Sequence, residues 1–281
     1  MNKKRFKKIY VEISNICNLR CRFCPGTKRE KRRMSIAEFA EIMPKIKPFT
    51  DYVYFHIMGE PLCHPNLKEF LDIAGENGLK VIITTNGTLL SKMNDVLLSS
   101  ASLHKLNVSL HAFEANDLCT PFTDYINECF EFGKAAEGQK LVVYRLWNNG
   151  GADEKNDDIL HVMEKHFPKP WKENWNGTRI GDGVYLHSAD RFDWPDMEAD
   201  DLGMKTRCMA LNDQIGILAD GSVVPCCLDH EGDITLGNIF EDTIDEILES
   251  DRAKAIYNGF KNGVAVEELC QRCGYAHKKF G

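Results

Sequence analysis

Residues 9–24 read IYVEISNICNLRCRFC. The β-branched run Ile9 to Ser14 leads directly into Cys17, Cys21 and Cys24, with Phe23 just before the last cysteine. Such a run favours a strand, and a loop that opens where a strand ends presents its side chains at the strand's carboxyl edge. Three thiolates on one tight loop can hold three irons of a cubane cluster and leave the fourth without a protein ligand, so the site can take up a reactant as well as brace a fold. A structural zinc is the alternative, but three cysteines packed together with no nearby fourth ligand suit tetrahedral zinc poorly.

Outward from this loop, short β-branched or aromatic runs alternate with helical periodicity. Strands are expected over Ile9 to Ser14, Tyr52 to Ile57, Lys80 to Thr84, Lys105 to His111, Leu141 to Leu146 and Val184 to His187. Helices are expected over Ser35 to Lys47, Asn66 to Asn77, Ser91 to Ser99, Phe122 to Glu137 and Asn156 to His166. Strands separated by helices run parallel, and right-handed crossovers curl the series toward a barrel. Six units fall short of the eight needed for closure. The expected fold is therefore α/β: an open, partial (β/α)6 TIM-like barrel with its reactive face at the carboxyl ends of the strands. The acidic stretch WPDMEADD, Trp194 to Asp201, changes the composition and carries a helix-disfavouring proline. It divides a barrel over residues 1–195 from a small α+β domain over 196–281. In the latter, Gln214 to Ala219 turning at Asp220 and Gly221 into Ser222 to Pro225 reads as a hairpin, and Thr243 to Tyr257 as a helix.

With 281 residues and 43% hydrophobic content the chain can bury a full core. A formal net charge of -7 argues against a protein that coats nucleic acid. Lys3, Lys4, Arg5, Lys7 and Lys8 read as a solvated basic arm, and the apolar run behind them is too short for a signal peptide. No span is apolar for long enough to cross a bilayer. The 11 cysteines then point to metal in a reducing compartment, the cytoplasm, more than to disulfides.

The CxxxCxxC spacing with an aromatic before the last cysteine resembles the radical S-adenosylmethionine superfamily. The resemblance implies that Cys17, Cys21 and Cys24 bind a [4Fe-4S] cluster whose open iron is chelated by S-adenosylmethionine. Reductive cleavage, fed by a donor such as flavodoxin or ferredoxin, then yields a 5'-deoxyadenosyl radical that takes a substrate hydrogen. His56 to Pro61, HIMGEP, resembles the family's glycine-glutamate-proline segment, with Met58 in place of the usual first glycine. By that resemblance Glu60 meets the methionine ammonium and Gly59 permits close backbone approach. Asn86 in TTNG resembles a cofactor-proximal position, Ser109 is a candidate for the carboxylate or ribose, and Arg145 offers that carboxylate a bidentate fork. His111 reads more simply as a buried histidine.

Cys208, Cys226, Cys270 and Cys273 resemble the shortened auxiliary-cluster module called twitch, a relative of the SPASM extension, which implies a second [4Fe-4S] cluster with no open iron. A four-cysteine zinc site is left open by the spacing. Cys227 can compete as a ligand, whereas Cys63, Cys119 and Cys129 read as packing residues.

The two modules leave no separate domain to grip a leader peptide, so a small-molecule substrate is expected. Lys28, Arg29, Lys31, Arg32 and Arg33 follow the cluster loop and are candidates for a phosphate, or a solvated charge run. Trp147, Phe192 and Trp194 offer flat surfaces for a ring, or core packing. Asp190, Asp193 and Asp229 suit a cationic amine or proton transfer, with Asp193 and Asp229 the candidate catalytic carboxylates. Phosphate, ring and amine together describe a modified nucleotide. FKKIYVEISNICNLRCRFCPGTKR, YVYFHIMGEPLCHPNLKEF, YRLWNN and GVYLHSADRFDWPD make the whole chain similar to the small twitch-type enzymes that include the queuine lyase of queuosine salvage. That likeness implies release of queuine from queuosine 5'-phosphate. An aminosugar or aminocyclitol dehydrogenase, a peptide-modifying maturase and a non-catalytic metal-stabilised binding module are the other readings.

Overall fold

The computed structural model describes residues 6–116, 120–151, 153–175 and 177–280. Lys3, Lys4, Arg5 and Cys119 lie outside the described residues. The elements run in the order β1 (Lys8–Val11), α1 (Ile36–Ile46), β2 (Tyr52–Tyr54), α2 (Leu67–Glu76), β3 (Lys80–Thr85), α3 (Leu90–Ser99), β4 (Leu103–Ser109), α4 (Phe122–Ala136), β5 (Leu141–Asn149) and α5 (Asn156–His166). After these come β6 (Lys172–Asn174), β7 (Gly177–Gly181), β8 (Val184–Asp190), β9 (Gln214–Ile217), β10 (Ser222–Val224), β11 (Gly237–Asn238), α6 (Ile244–Glu249), α7 (Asp251–Lys261), α8 (Glu268–Gln271) and α9 (Gly274–Phe280).

The six expected strands lie side by side and parallel, in the order β1-β2-β3-β4-β5-β8, and the sheet does not close. It is a partial barrel. Ile9, Val11, Val53, Val81, Ile83, Leu106, Val108 and Val142 are fully buried on the face that meets the helices, where Phe39, Phe70 and Phe130 fill the core. A capping box between Ser35 and Glu38 starts α1, whose Phe39, Ile42, Met43 and Ile46 form its buried stripe. The other sheet face breaks the rule that parallel strands are apolar on both sides. Lys8 and Tyr10 on β1, Tyr54 on β2, Lys105 and Asn107 on β4 and Arg145 on β5 line a polar lumen. Lys8 thus belongs to a strand and not to a solvated arm.

Three other expectations change. The hairpin β9-β10 forms as read, but β9 adds in parallel to β1, pairing Lys8 with Gln214 through Val11 with Ile217. One sheet therefore runs through both parts of the chain. The helix expected over Thr243 to Tyr257 breaks at Ser250, which ends α6 in an extended conformation while its side chain accepts the Ala253 N–H at the start of α7. The polar strands β6 and β7 form an unforeseen hairpin at the far edge, because residues 172–181 lack the alternation that marks a strand. Among the described residues, no helix is long and apolar enough to cross a membrane.

Candidate active site

The cysteine loop sits on β1 and is propped by the ends of β2, β3 and β4. Gly59 has φ +78, and a Cβ there would lie 2.3 Å from the Ser14 carbonyl oxygen and 3.0 Å from the Ile16 nitrogen. Only glycine allows this approach. The backbone that comes close is the launch of the cysteine loop itself, and the Glu60 N–H donates to Ile16 O at 3.0 Å. Glu60 is 2% exposed, and its two carboxylate oxygens accept N–H bonds from Leu62 (3.0 Å) and Asn86 (2.7 Å). Its carboxylate thus ties the β2 end to the β3 end. Burial pushes it up to about 7.

Asn86 extends the brace: its side-chain amide donates to Asn18 Oδ1 at 2.9 Å and lies 3.9 Å from Cys17 Sγ, while Tyr125 donates to its carbonyl at 2.8 Å. Asn116, absent from the candidates above, donates to Cys21 Sγ at 3.1 Å and accepts the Arg20 N–H at 3.0 Å. No spacing rule announces a residue that reaches the loop from 95 positions away. Met58 Sδ rests 4.0 Å from Cys24 Sγ. Cys63, read as packing, lies within the electrostatic field of Cys17. The donor set fits an iron–sulfur cluster: three free, partly open sulfurs on one crest with an amide donor aimed at one of them. Burial pushes the Cys17 thiol up to about 11, so metal must displace the proton. Asn116→Leu is expected to weaken iron retention at this loop and shift the resonance spectrum of the reduced protein, whereas an unchanged spectrum would remove Asn116 from the site.

Beside the loop, at the ends of β4 and β5, lies a cavity of about 170 Å³ walled by Phe23, His111, Trp147 and Arg191. Phe23 faces His111 with ring centroids 4.9 Å apart, and burial depresses His111 to about 4, so it is neutral. Trp147 donates from Nε1 to His187 Nδ1 at 3.0 Å and stacks against the Arg145 guanidinium at 4.3 Å. Ser109 pairs in register with Arg145 on the neighbouring strand. A larger cleft of about 490 Å³ opens at the opposite, amino-terminal rim of the strands, and no described cysteine lines it.

Cys208, Cys226, Cys270 and Cys273 converge from the loop before β9, the loop after β10, α8 and the turn into α9, each within the electrostatic field of others. Cys227 differs, because its side chain hydrogen-bonds with Tyr10 in the barrel lumen. Among the described residues no three His, Cys, Asp or Glu side chains stand at the spacing of ligands to one ion. Four thiolates are the donor set that a closed [4Fe-4S] cluster takes.

The remaining candidates fall elsewhere. Arg29 does not await a phosphate: its guanidinium grips the fully buried Glu12 in a bidentate pair at 2.7 and 2.8 Å. Lys28, Lys31, Arg32 and Arg33 are exposed, and Arg32 pairs with Glu38. Asp229, 1% exposed, accepts the backbone N–H groups of Gly232, Asp233 and Ile234, so it caps a loop instead of serving as a base. Asp190 and Asp193 are exposed and pair with Lys278 and Arg191. Phe192 and Trp194 pack on Tyr275 and His230 over the carboxyl-terminal module. No carboxylate described there awaits a cationic amine in the lumen.

Two family profiles match the chain: the Radical SAM superfamily over residues 11–129, and SPASM, an iron–sulfur cluster-binding domain, over residues 208–274. The S-adenosyl-L-methionine-dependent 2-deoxy-scyllo-inosamine dehydrogenase of Niallia circulans is 23% identical over 96% of this chain and 93% of its own length. The GTP 3',8-cyclase of Alkaliphilus oremlandii is 27% identical over 58% of this chain and 54% of its own. The crystal structure of Streptococcus suis SuiB bound to S-adenosylmethionine superposes with TM-score 0.65 at 17% identity, covering 96% of this chain and 72% of that one. Queuosine lyase activity finds no support among these relatives. The cysteine crest, the strand-end braces, the four-cysteine set and both profiles agree: the chain carries a domain of the Radical SAM superfamily and a SPASM domain, which imply a [4Fe-4S] cluster with S-adenosylmethionine and an auxiliary iron–sulfur cluster.

Proposed function

We propose that this enzyme is an oxidoreductase that removes hydrogen from a hydroxyl-bearing carbon of a small polar molecule of sugar or cyclitol kind. The observation that carries the reading is the unfinished hydrogen bonding of the lumen. His56 Nδ1 and Asn107 Oδ1 are buried without partners. Thr84 Oγ1 stands between the two residues, 3.3 Å from His56 Nε2 and 3.2 Å from Asn107 Nδ2. Buried polar atoms demand partners, and a polyhydroxylated ligand supplies both donors and acceptors where an apolar one supplies neither. The dehydrogenase relative, which spans nearly the whole chain, acts on a cyclitol by its name.

When bound, the cofactors supply reductive generation of a 5'-deoxyadenosyl radical and, at the four-cysteine site, an acceptor for the second electron of a dehydrogenation. The chain's own part is placement. Gly59, Glu60 and Asn86 hold the cysteine loop over the lumen, and the Trp147 ring backs the Arg145 guanidinium at 4.3 Å. Burial and neighbouring cations depress His56 to about 3, which keeps it a neutral hydrogen-bonding group at physiological pH. Cys227 and Tyr10 close the wall between the lumen and the four-cysteine site.

Anaerobically reconstituted enzyme, a chemical reductant and a panel of polyols and sugar derivatives test this. The expected product is lighter than its substrate by two hydrogens and forms with 5'-deoxyadenosine, and Cys17→Ala, Cys21→Ala and Cys24→Ala abolish both. A product in which a glycosidic bond is broken and no carbonyl is formed would replace the oxidoreductase reading with a lyase.

A further inference from the structure

The lumen holds more positive charge than the reaction proposed above requires. Lys8 leans over the rings of Tyr10 and Tyr54, with Nζ 5.3 and 5.8 Å from their centroids. Lys105 lies on the lumen face of β4, two residues before Asn107 and four before Ser109. Ser109 is in register with Arg145, and Arg145 with His187. Arg145 is partly buried; its Nε is buried without a hydrogen-bond partner, and its guanidinium carbon lies 4.3 Å from the centroid of the Trp147 ring. Among the described residues none of the three cations has an ion-pair partner.

The groups facing them do not compensate. Desolvation first, and then the charges of Arg145 and Lys8, lower the Lys105 ammonium, so the three sit within one another's field. Lys279 of α9 adds a fourth positive charge near Lys8 and His187. Against these stand weak acids, Tyr10, Tyr54 and Cys227, and Asp213, which acts on Lys8 but is paired with Lys7 at 2.7 Å. Like charges confined in a region of low dielectric repel strongly, and a cluster of this kind is relieved by an anion. Cations in a concave, partly dry wall also focus potential on whatever enters.

We infer that the barrel lumen is an anion site, and that the substrate carries a phosphate ester or a carboxylate which docks between Lys8, Lys105 and Arg145. The guanidinium beside the Trp147 ring offers its bidentate fork to this anion in place of the cofactor carboxylate expected from the sequence, and the two ammonium groups complete the charge. The inference rests on the substrate occupying this lumen, as in the oxidoreductase reading, and departs from the amine-bearing cyclitol in the dehydrogenase relative's name.

Anaerobically prepared holoenzyme is titrated with inorganic phosphate and, separately, with malonate, at constant ionic strength set by chloride. Binding is read by calorimetry and by the rise in thermal midpoint that a native-state ligand produces. Saturable binding of phosphate supports the proposal and identifies a phosphate ester; binding of malonate alone supports it and identifies a carboxylate. Lys8→Gln and Lys105→Gln are each expected to weaken that binding about tenfold. They should also raise the midpoint of the anion-free protein, because one of three repelling charges is gone. Failure of both anions to bind, or binding that neither substitution weakens, overturns the inference. The measurement involves no turnover, so an enzyme that binds phosphate but oxidises no polyol discards the oxidoreductase reading and keeps the anion site.

Discussion

Gly59→Ala is expected to strip the amino-terminal cysteine loop of its cluster while the four-cysteine site stays loaded. An alanine at φ +78 costs about 1–2 kcal/mol in backbone conformation alone. Its Cβ also cannot coexist with the Ser14 carbonyl at 2.3 Å, and that neighbour is backbone with no rotamer to yield. The segment that must move, Ser14 to Ile16, leads into Cys17, so the shift passes to the loop that presents three sulfurs. A displacement near 1 Å at a reacting centre lowers a rate by roughly 100-fold. Iron analysis should therefore show about half the iron of the parent protein, the iron–sulfur stoichiometry of one cubane in place of two. Release of 5'-deoxyadenosine should fall by roughly 100-fold or more. Full iron content with parental cleavage would show that Gly59 does not position the loop.

Arg29→Ala is expected to lower global stability by about 3–5 kcal/mol, the usual cost of leaving one half of a buried ion pair behind. Glu12 is fully buried, and besides the two guanidinium bonds its oxygens accept the N–H groups of Met58 at 3.1 Å and Ala219 at 3.0 Å. Arg29 also donates from Nε to His230 O at 2.8 Å. The pair consequently joins β1, the loop after the cluster, the β2 end and the carboxyl-terminal module. A loss of that size is a large share of the roughly 5–15 kcal/mol that a domain has. Denaturant titration of the holoenzyme measures it, and Glu12→Gln combined with Arg29→Met should cost less than Arg29→Ala because no unpaired charge is buried. A change below about 1 kcal/mol would place the pair among the weak surface bridges.

The two predictions mark where reading along the chain stops being sufficient. The alternation of strand and helix signals was enough for the six parallel strands, and the β9-β10 hairpin was legible from Asp220 and Gly221, where Gly221 does adopt φ +89. Misreadings cluster on charged residues. Arg29, Asp229 and Lys8 read as free to meet a ligand or solvent, and the first two are consumed by internal partners. Lys8 is the reverse case, a supposed surface charge drawn into a strand that faces the lumen. A charge's type is written in the sequence, but its partner depends on which segments the fold brings within about 4 Å, beyond the range of local propensity. Asn116 was missed for the same reason.

By itself the sequence determined three cysteines on a strand-end loop and enough strand–helix units for an open barrel, and the resemblance of Cys208, Cys226, Cys270 and Cys273 to an auxiliary-cluster module implied the second cluster. The first two are local facts, since ligand spacing within one loop and hydrophobic period are carried by neighbouring residues. Only the tertiary structure decided which polar groups remain free. It tied Arg29 and Asp229 into internal braces and brought Lys8, Lys105 and Arg145 within one another's field, because the balance of a buried charge is set by neighbours in space and not by neighbours in the chain.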